Sequence, residues 1–205
     1  MPMKVLSVLS RPVKEKLAHA DHRDLTSSGF WIGHLLMIAA TIAGVYLAAQ
    51  AGLQQAILFD DITSKETNYY LRQSLYDEVN TNVKILRKYN EEYFARGISV
   101  QELKQNNPKI GRYVWETMKY SPNTLETPSY FLTEIQNFYR TVDDLIEKRE
   151  KFTYGPSYAT KLLTEQLDNM EKNVLPKLAE NGNRLAAELL VYNVDVHEDK
   201  EVAGE

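Results

Sequence analysis

The 205-residue chain has no cysteine, only four histidines and only two tryptophans. Without cysteine it has no disulfide, no thiolate metal site and no thiol nucleophile. One histidine, His197, lies beyond residue 60. That scarcity removes most histidine-based acid–base, nucleophilic and zinc mechanisms from the larger part of the chain. Phosphate-cradling glycine loops, nucleophile elbows, HExxH and calcium-loop patterns are also missing. Neighbouring carboxylates such as Glu91/Glu92 and Asp143/Asp144 point different ways on a helix and read as solvated surface. The expectation is a protein without catalytic residues, bound metal or cofactor. A carboxylate pair of glycosidase type, distant in sequence, is the enzyme class left open. The net charge of −4 disfavours nucleic acid as a partner, because that role needs a concentrated basic surface.

Charge itself is missing from one stretch. No Asp, Glu, Lys or Arg occurs from Phe30 to Phe59, in a chain that is 25% charged. A bilayer core takes about 20 apolar helical residues. Residues 30–53 supply them, with apolar character reaching residue 59, and predict one transmembrane signal-anchor helix. Residues 1–29 carry five Lys/Arg against three acids, and the first charges beyond the run are Asp60 and Asp61. The positive-inside rule then places the N-terminus in the cytoplasm of an inner membrane and the remainder outside it. Ala49-Gln50-Ala51 fits a small-x-small cleavage pattern, and cleavage there gives an exported soluble helical protein as the alternative.

Within the span Ala40, Gly44, Ala48 and Gly52 recur every four residues and share a face. Such a face admits close approach of another helix, so self-association or a membrane protein partner is expected, in contact with the lipid bilayer. His34 lies about one helical turn inside the cytoplasmic boundary, without a second ligand for haem or quinone chemistry. Before the span, Met3–Leu17 mixes apolar and basic residues as a surface-lying amphipathic segment does. His19, Asp21, His22 and Asp24 form an H-x-D-H-x-D pattern read as a polar linker rather than a metal site.

Residues 60–194 predict an all-α domain. Leu71, Leu75, Val79, Val83 and Leu86, continued by Tyr89 and Tyr93, repeat at helical spacing. So do Phe131, Ile135, Phe138, Val142 and Leu145, and then Leu163, Leu167, Met170, Val174 and Leu178. Thr63–Glu66 and Ser99–Glu102 are capping-box patterns, the first read as a helix restart or as a point the membrane helix runs through. Thr127-Pro128 marks a helix start, Pro176 a kink, and Asn181-Gly182-Asn183 an end or a bend. The fold class expected is a single transmembrane helix followed by an elongated, extracytoplasmic, antiparallel bundle of three long helices plus one or two short ones. Residues 195–205 read as a free acidic tail. The layout is similar to half of a bacterial chemoreceptor or sensor-kinase input module, lacking the second membrane helix and the output domain.

Tyrosine is abundant where other functional types are scarce: twelve of thirteen lie beyond residue 60. The rings serve as half-buried packing residues or as a docking surface. Tyr113, Trp115, Tyr120 and Tyr130, on short helices and turns, form the candidate partner or ligand face. The function expected is a non-enzymatic interaction or accessory subunit of an envelope membrane complex. The alternative is a sensory module holding a small ligand in the bundle.

Overall fold

The computed structural model describes residues 28–196, which are helical and contain no strand. Helix α1 runs Ser28–Tyr89 and widens into a π-type turn at Asn90–Phe94. Two short helices follow, α2 at Val100–Gln105 and α3 at Tyr113–Met118, then a 3-10 turn at Pro122–Glu126. Helix α4 spans Ser129–Glu150 and α5 spans Pro156–Asn169. A second π-type turn, Met170–Val174, leads into α6 at Leu175–Leu190. The basic arm, the H-x-D-H-x-D pattern and the chain beyond Val196 lie outside the described residues.

The chain divides between Ile57 and Leu58 into two compact units. The described part of the first is the apolar portion of α1. It is long and apolar enough to cross a membrane, and none of its most apolar stretch is buried against the described residues. Ile32, Leu35, Leu36, Ile38, Ile42, Val45 and Leu47 are all exposed.

The second unit has a packed core built from the three predicted stripes. Leu75, Val79, Val83 and Leu86 come from α1, and Phe131, Ile135, Phe138, Val142 and Leu145 from α4. Leu163, Leu167, Met170, Val174 and Leu178 come from the run formed by α5, its π-type turn and α6. Burying each such side chain is worth about 1.5–3 kcal/mol against leaving it in water, enough to hold the helices without covalent links. A smaller cluster joins Tyr69, Leu185, Ala186, Leu189 and Val196.

Local signals fared unevenly. Ser99 caps α2 as its box predicts, its Oγ accepting the Glu102 N–H at 3.2 Å. The Thr63–Glu66 box caps nothing, because α1 passes through it and Thr67 donates to the Thr63 carbonyl at 2.9 Å. Thr127 does not cap α4. It is buried, with its hydroxyl turned to the Asn123 carbonyl of the preceding 3-10 turn. Pro176 lacks an N–H and crowds the carbonyl four residues back. The wide Met170–Val174 turn just before it is where the helix absorbs that misfit. Asn181-Gly182-Asn183 neither ends nor interrupts α6. The expectation of a free tail from Asp195 is corrected at its start: Val196 is buried against Leu185 and Leu189, apolar contact that the acidic composition masked.

Candidate interaction face

The segment from Arg112 to Glu126 comprises α3 and the following 3-10 turn and is tied down at both ends. At its start, Asn82 on α1 exchanges two hydrogen bonds with Gly111. The Asn82 Nδ2 donates to the Gly111 carbonyl at 2.5 Å, and the Gly111 N–H donates to Asn82 Oδ1 at 2.9 Å. The first N–H groups of α3 have no partner inside the helix. Glu78, one turn before Asn82, accepts them, from Val114 at 2.7 Å and from Trp115 at 3.1 Å.

Tyr139 on α4 completes this network. Its hydroxyl accepts from Asn82 at 2.9 Å and donates to Glu78 at 3.3 Å. Burial, and next the Glu78 carboxylate, push the Tyr139 hydroxyl well above the usual tyrosine range. Arg112 spans the Asp143 carboxylate with two nitrogens at 2.9 and 2.5 Å, and its guanidinium lies 4.8 Å from the Tyr139 ring centre. The Trp115 ring packs inward on the same tyrosine, 6.0 Å between centres.

Glu126 fixes the other end. Its carboxylate accepts from Ser64 at 2.9 Å and from Asn68 at 2.5 Å, while its carbonyl accepts from Arg72 at 2.9 Å. Between the two ends Met118 is buried, and the Thr124 hydroxyl donates to the Met118 carbonyl. The ties at the two ends run to α1 and α4. On the outside the segment presents Tyr113, Tyr120 and Leu125, which are 81%, 88% and 92% exposed.

The four aromatics singled out from sequence therefore divide. Tyr113 and Tyr120 are displayed, and Trp115 belongs to the packing beneath them. Tyr130 stands in the first turn of α4, with the Lys177 ammonium 4.8 Å from its ring centre. Leu125 joins the displayed set and was missed, because a single leucine in a polar stretch leaves no periodic trace. Glu78, Asn82 and Glu126 were missed as well. The available signal was the polar residues Asn68, Arg72 and Asn82, which sit in register with the buried stripe of α1 and are themselves buried.

Along the apolar portion of α1, Ala40, Gly44, Ala48 and Gly52 are exposed. A Cβ built on Gly44 or Gly52 meets nothing within 4 Å. His34 is satisfied within its own helix, its Nδ1 lying 3.0 Å from the Phe30 carbonyl. Among the described residues no three metal-ligating side chains converge. A cavity of about 530 Å³ is lined by α6 and Phe131 of α4 and by no residue of the Arg112–Glu126 segment. Comparison with protein-family profiles, with curated proteins and with solved structures finds no match to this chain.

Proposed function

We propose that the chain is a non-enzymatic, single-pass membrane protein serving as an interaction or accessory subunit of an envelope membrane complex. In this reading residues 30–53 are an uncleaved inner-membrane anchor. Residues 1–29 are cytoplasmic, and residues 60–194 form an elongated antiparallel bundle on the far side. Two features support the anchor. The apolar side chains of the N-terminal, uncharged portion of α1 find no cover among the described residues, and lipid is the solvent that suits them. The helical hydrogen-bond ladder also passes through Ala49-Gln50-Ala51 unbroken, so cleavage there first has to unwind it.

The observation that carries the interaction role is the construction of the Arg112–Glu126 segment. Glu78, Asn82, Asp143 and the Ser64/Asn68/Arg72 group hold the backbone and side chains at its two ends, and two tyrosines and a leucine are left bare. A segment ordered before binding loses little conformational entropy on docking. Tyrosines on such a segment bring large contact area and a hydrogen-bonding tip. The open Ala40/Gly44/Ala48/Gly52 face supplies a second contact, with a partner's membrane helix or with a second copy.

Affinity purification of the full chain from mild detergent tests both contacts. Replacing Tyr113, Tyr120 and Leu125 together by serine is expected to leave the melting temperature unchanged and to lose the partner bound outside the membrane. Gly44→Leu is expected to lose the partner, or the second copy, held through the membrane helix. Recovery of the same set of proteins with both variants overturns the proposal.

A further inference from the structure

The cavity beside α6 is lined by Phe131, Lys177, Glu180, Asn181, Asn183 and Arg184. Its volume of about 530 Å³ is in the range of small-molecule sites. Lys177 lies three and four residues before Glu180 and Asn181, and Arg184 lies four and three after them, so Lys177 and Arg184 fall between the two on one side of α6. Asn181 is only 8% exposed, and its Oδ1 has no hydrogen-bond partner. A buried amide oxygen without a donor is a costly arrangement unless something supplies the donor.

The charges around it are also unpaired. Lys65–Asp61, Lys148–Asp144 and Lys172–Asp168 all close ion pairs at four-residue spacing. Glu180 and Arg184 have the same spacing, yet neither forms an ion pair among the described residues. Arg184 lies near enough to Arg72 of α1 for their charges to interact; Arg72 is buried, and its Nε has no partner although another of its nitrogens donates to the Glu126 carbonyl. Burial, and next the like charge of Arg184, weaken the Arg72 guanidinium's hold on its proton, against the smaller opposing pull of the Glu126 and Glu188 carboxylates. An anion arriving at Arg184 offsets that repulsion. Lys177, placed over the Tyr130 ring, adds a second positive charge on this helix face.

We propose that this cavity binds a small zwitterion of amino-acid type, as a free amino acid or as a short peptide. Arg184, aided by the field of Lys177, takes the carboxylate, since a guanidinium matches a carboxylate with two parallel hydrogen bonds. The ammonium or amide N–H supplies the donor that Asn181 Oδ1 lacks, and Glu180 balances its charge. The apolar part of the ligand lies on Phe131. This goes beyond the docking role of the Arg112–Glu126 segment and does not depend on it.

The test uses the full chain in mild detergent and calorimetric titration with three sets of compounds. These are the common amino acids, their di- and tripeptides, and carboxylates of the same skeletons without the amine. At least one zwitterion is expected to bind and to raise the melting temperature with concentration. The set it comes from tells the free amino acid from the peptide. The matching amine-free carboxylate is expected to bind about tenfold more weakly or worse. Arg184→Gln, at an exposed position, and Asn181→Leu are each expected to weaken binding by about tenfold. Partner capture through Tyr113, Tyr120 and Leu125 is expected to be unchanged in both. The proposal is overturned if no zwitterion binds the folded protein at millimolar concentration. It is equally overturned if amine-free carboxylates bind as tightly, or if both variants bind as the native chain does.

Discussion

The Asn82 side chain and the Gly111 backbone satisfy each other completely, donor to acceptor in both directions. Asn82 thereby acts as a strand neighbour does, holding one peptide unit of the irregular stretch between α2 and α3. Its Nδ2 also reaches the Tyr139 hydroxyl, so one amide couples α1, the loop and α4. The position explains why a polar residue interrupts the buried stripe of α1 between Val79 and Leu86.

Removing that amide tests the arrangement. Asn82→Ala removes three hydrogen bonds, two to the Gly111 peptide and one to the buried Tyr139 hydroxyl, at an expected cost of about 2 kcal/mol. For a unit of this size that corresponds to a fall in melting temperature of about 4–8 °C. Asn82→Asp is expected to cost at least as much. It loses both donors and sets a second carboxylate beside the Glu78–Tyr139 pair. Chemical denaturation followed by Trp115 fluorescence reads both, and a midpoint unchanged in Asn82→Ala rules out the coupling role.

The contrast between the helices and the displayed segment shows what the sequence could and could not reveal. Val79, Val83 and Leu86, or Phe131, Ile135 and Phe138, are legible because a buried helix face imposes a period on its own residues. The Arg112–Glu126 segment has no period. Its shape comes from partners far away in sequence: Glu78 is 36 residues from Val114, and Asn68 is 58 from Glu126. Single polar residues in an apolar stripe were the visible trace of those ties, and a lone asparagine does not say which peptide it will meet. Gly182 misled in the opposite direction. It lies within a helix whose buried neighbours, Leu178 and Leu185, fix the backbone more strongly than glycine loosens it.

Phe152 offers a stabilising substitution. Two bonds close the end of α4: the Thr153 N–H reaches the Lys148 carbonyl at 2.9 Å, and the Phe152 N–H reaches the Arg149 carbonyl at 3.3 Å. This is the Schellman pattern, which places Phe152 in the left-handed region, with φ of 58°. An L-residue pays about 1–2 kcal/mol there, and glycine escapes the penalty while losing more chain entropy on folding. The Phe152 ring is exposed, so little packing is lost. Phe152→Gly is expected to stabilise by about 0.5–1 kcal/mol net. Asn193 closes α6 in the same way with φ of 61°. Asparagine tolerates that conformation, so Asn193→Gly is expected to change little. A lowered denaturation midpoint in Phe152→Gly would falsify the assignment of strain at that turn.

Asp168 links α5 to α1 and gives stability a defined acid dependence. Lys172 at 2.7 Å, and next Arg87 at 2.9 Å, hold its carboxyl below the ordinary value of 3.8. A carboxyl whose pKa is depressed by folding contributes stability that is present above its unfolded pKa. That contribution is lost as pH falls through the lower folded value. Near neutral pH, Asp168→Asn is therefore expected to lower the denaturation midpoint. The difference from the native chain is expected to close only below pH 3.8, once the native carboxyl is protonated as well. Arg87 keeps Glu171 as a second partner, so the loss near neutral pH is partial. Denaturation curves for the two proteins across that range decide the matter. A gap that stays constant down through the carboxylate range means that Asp168 acts through helix packing rather than through its charge.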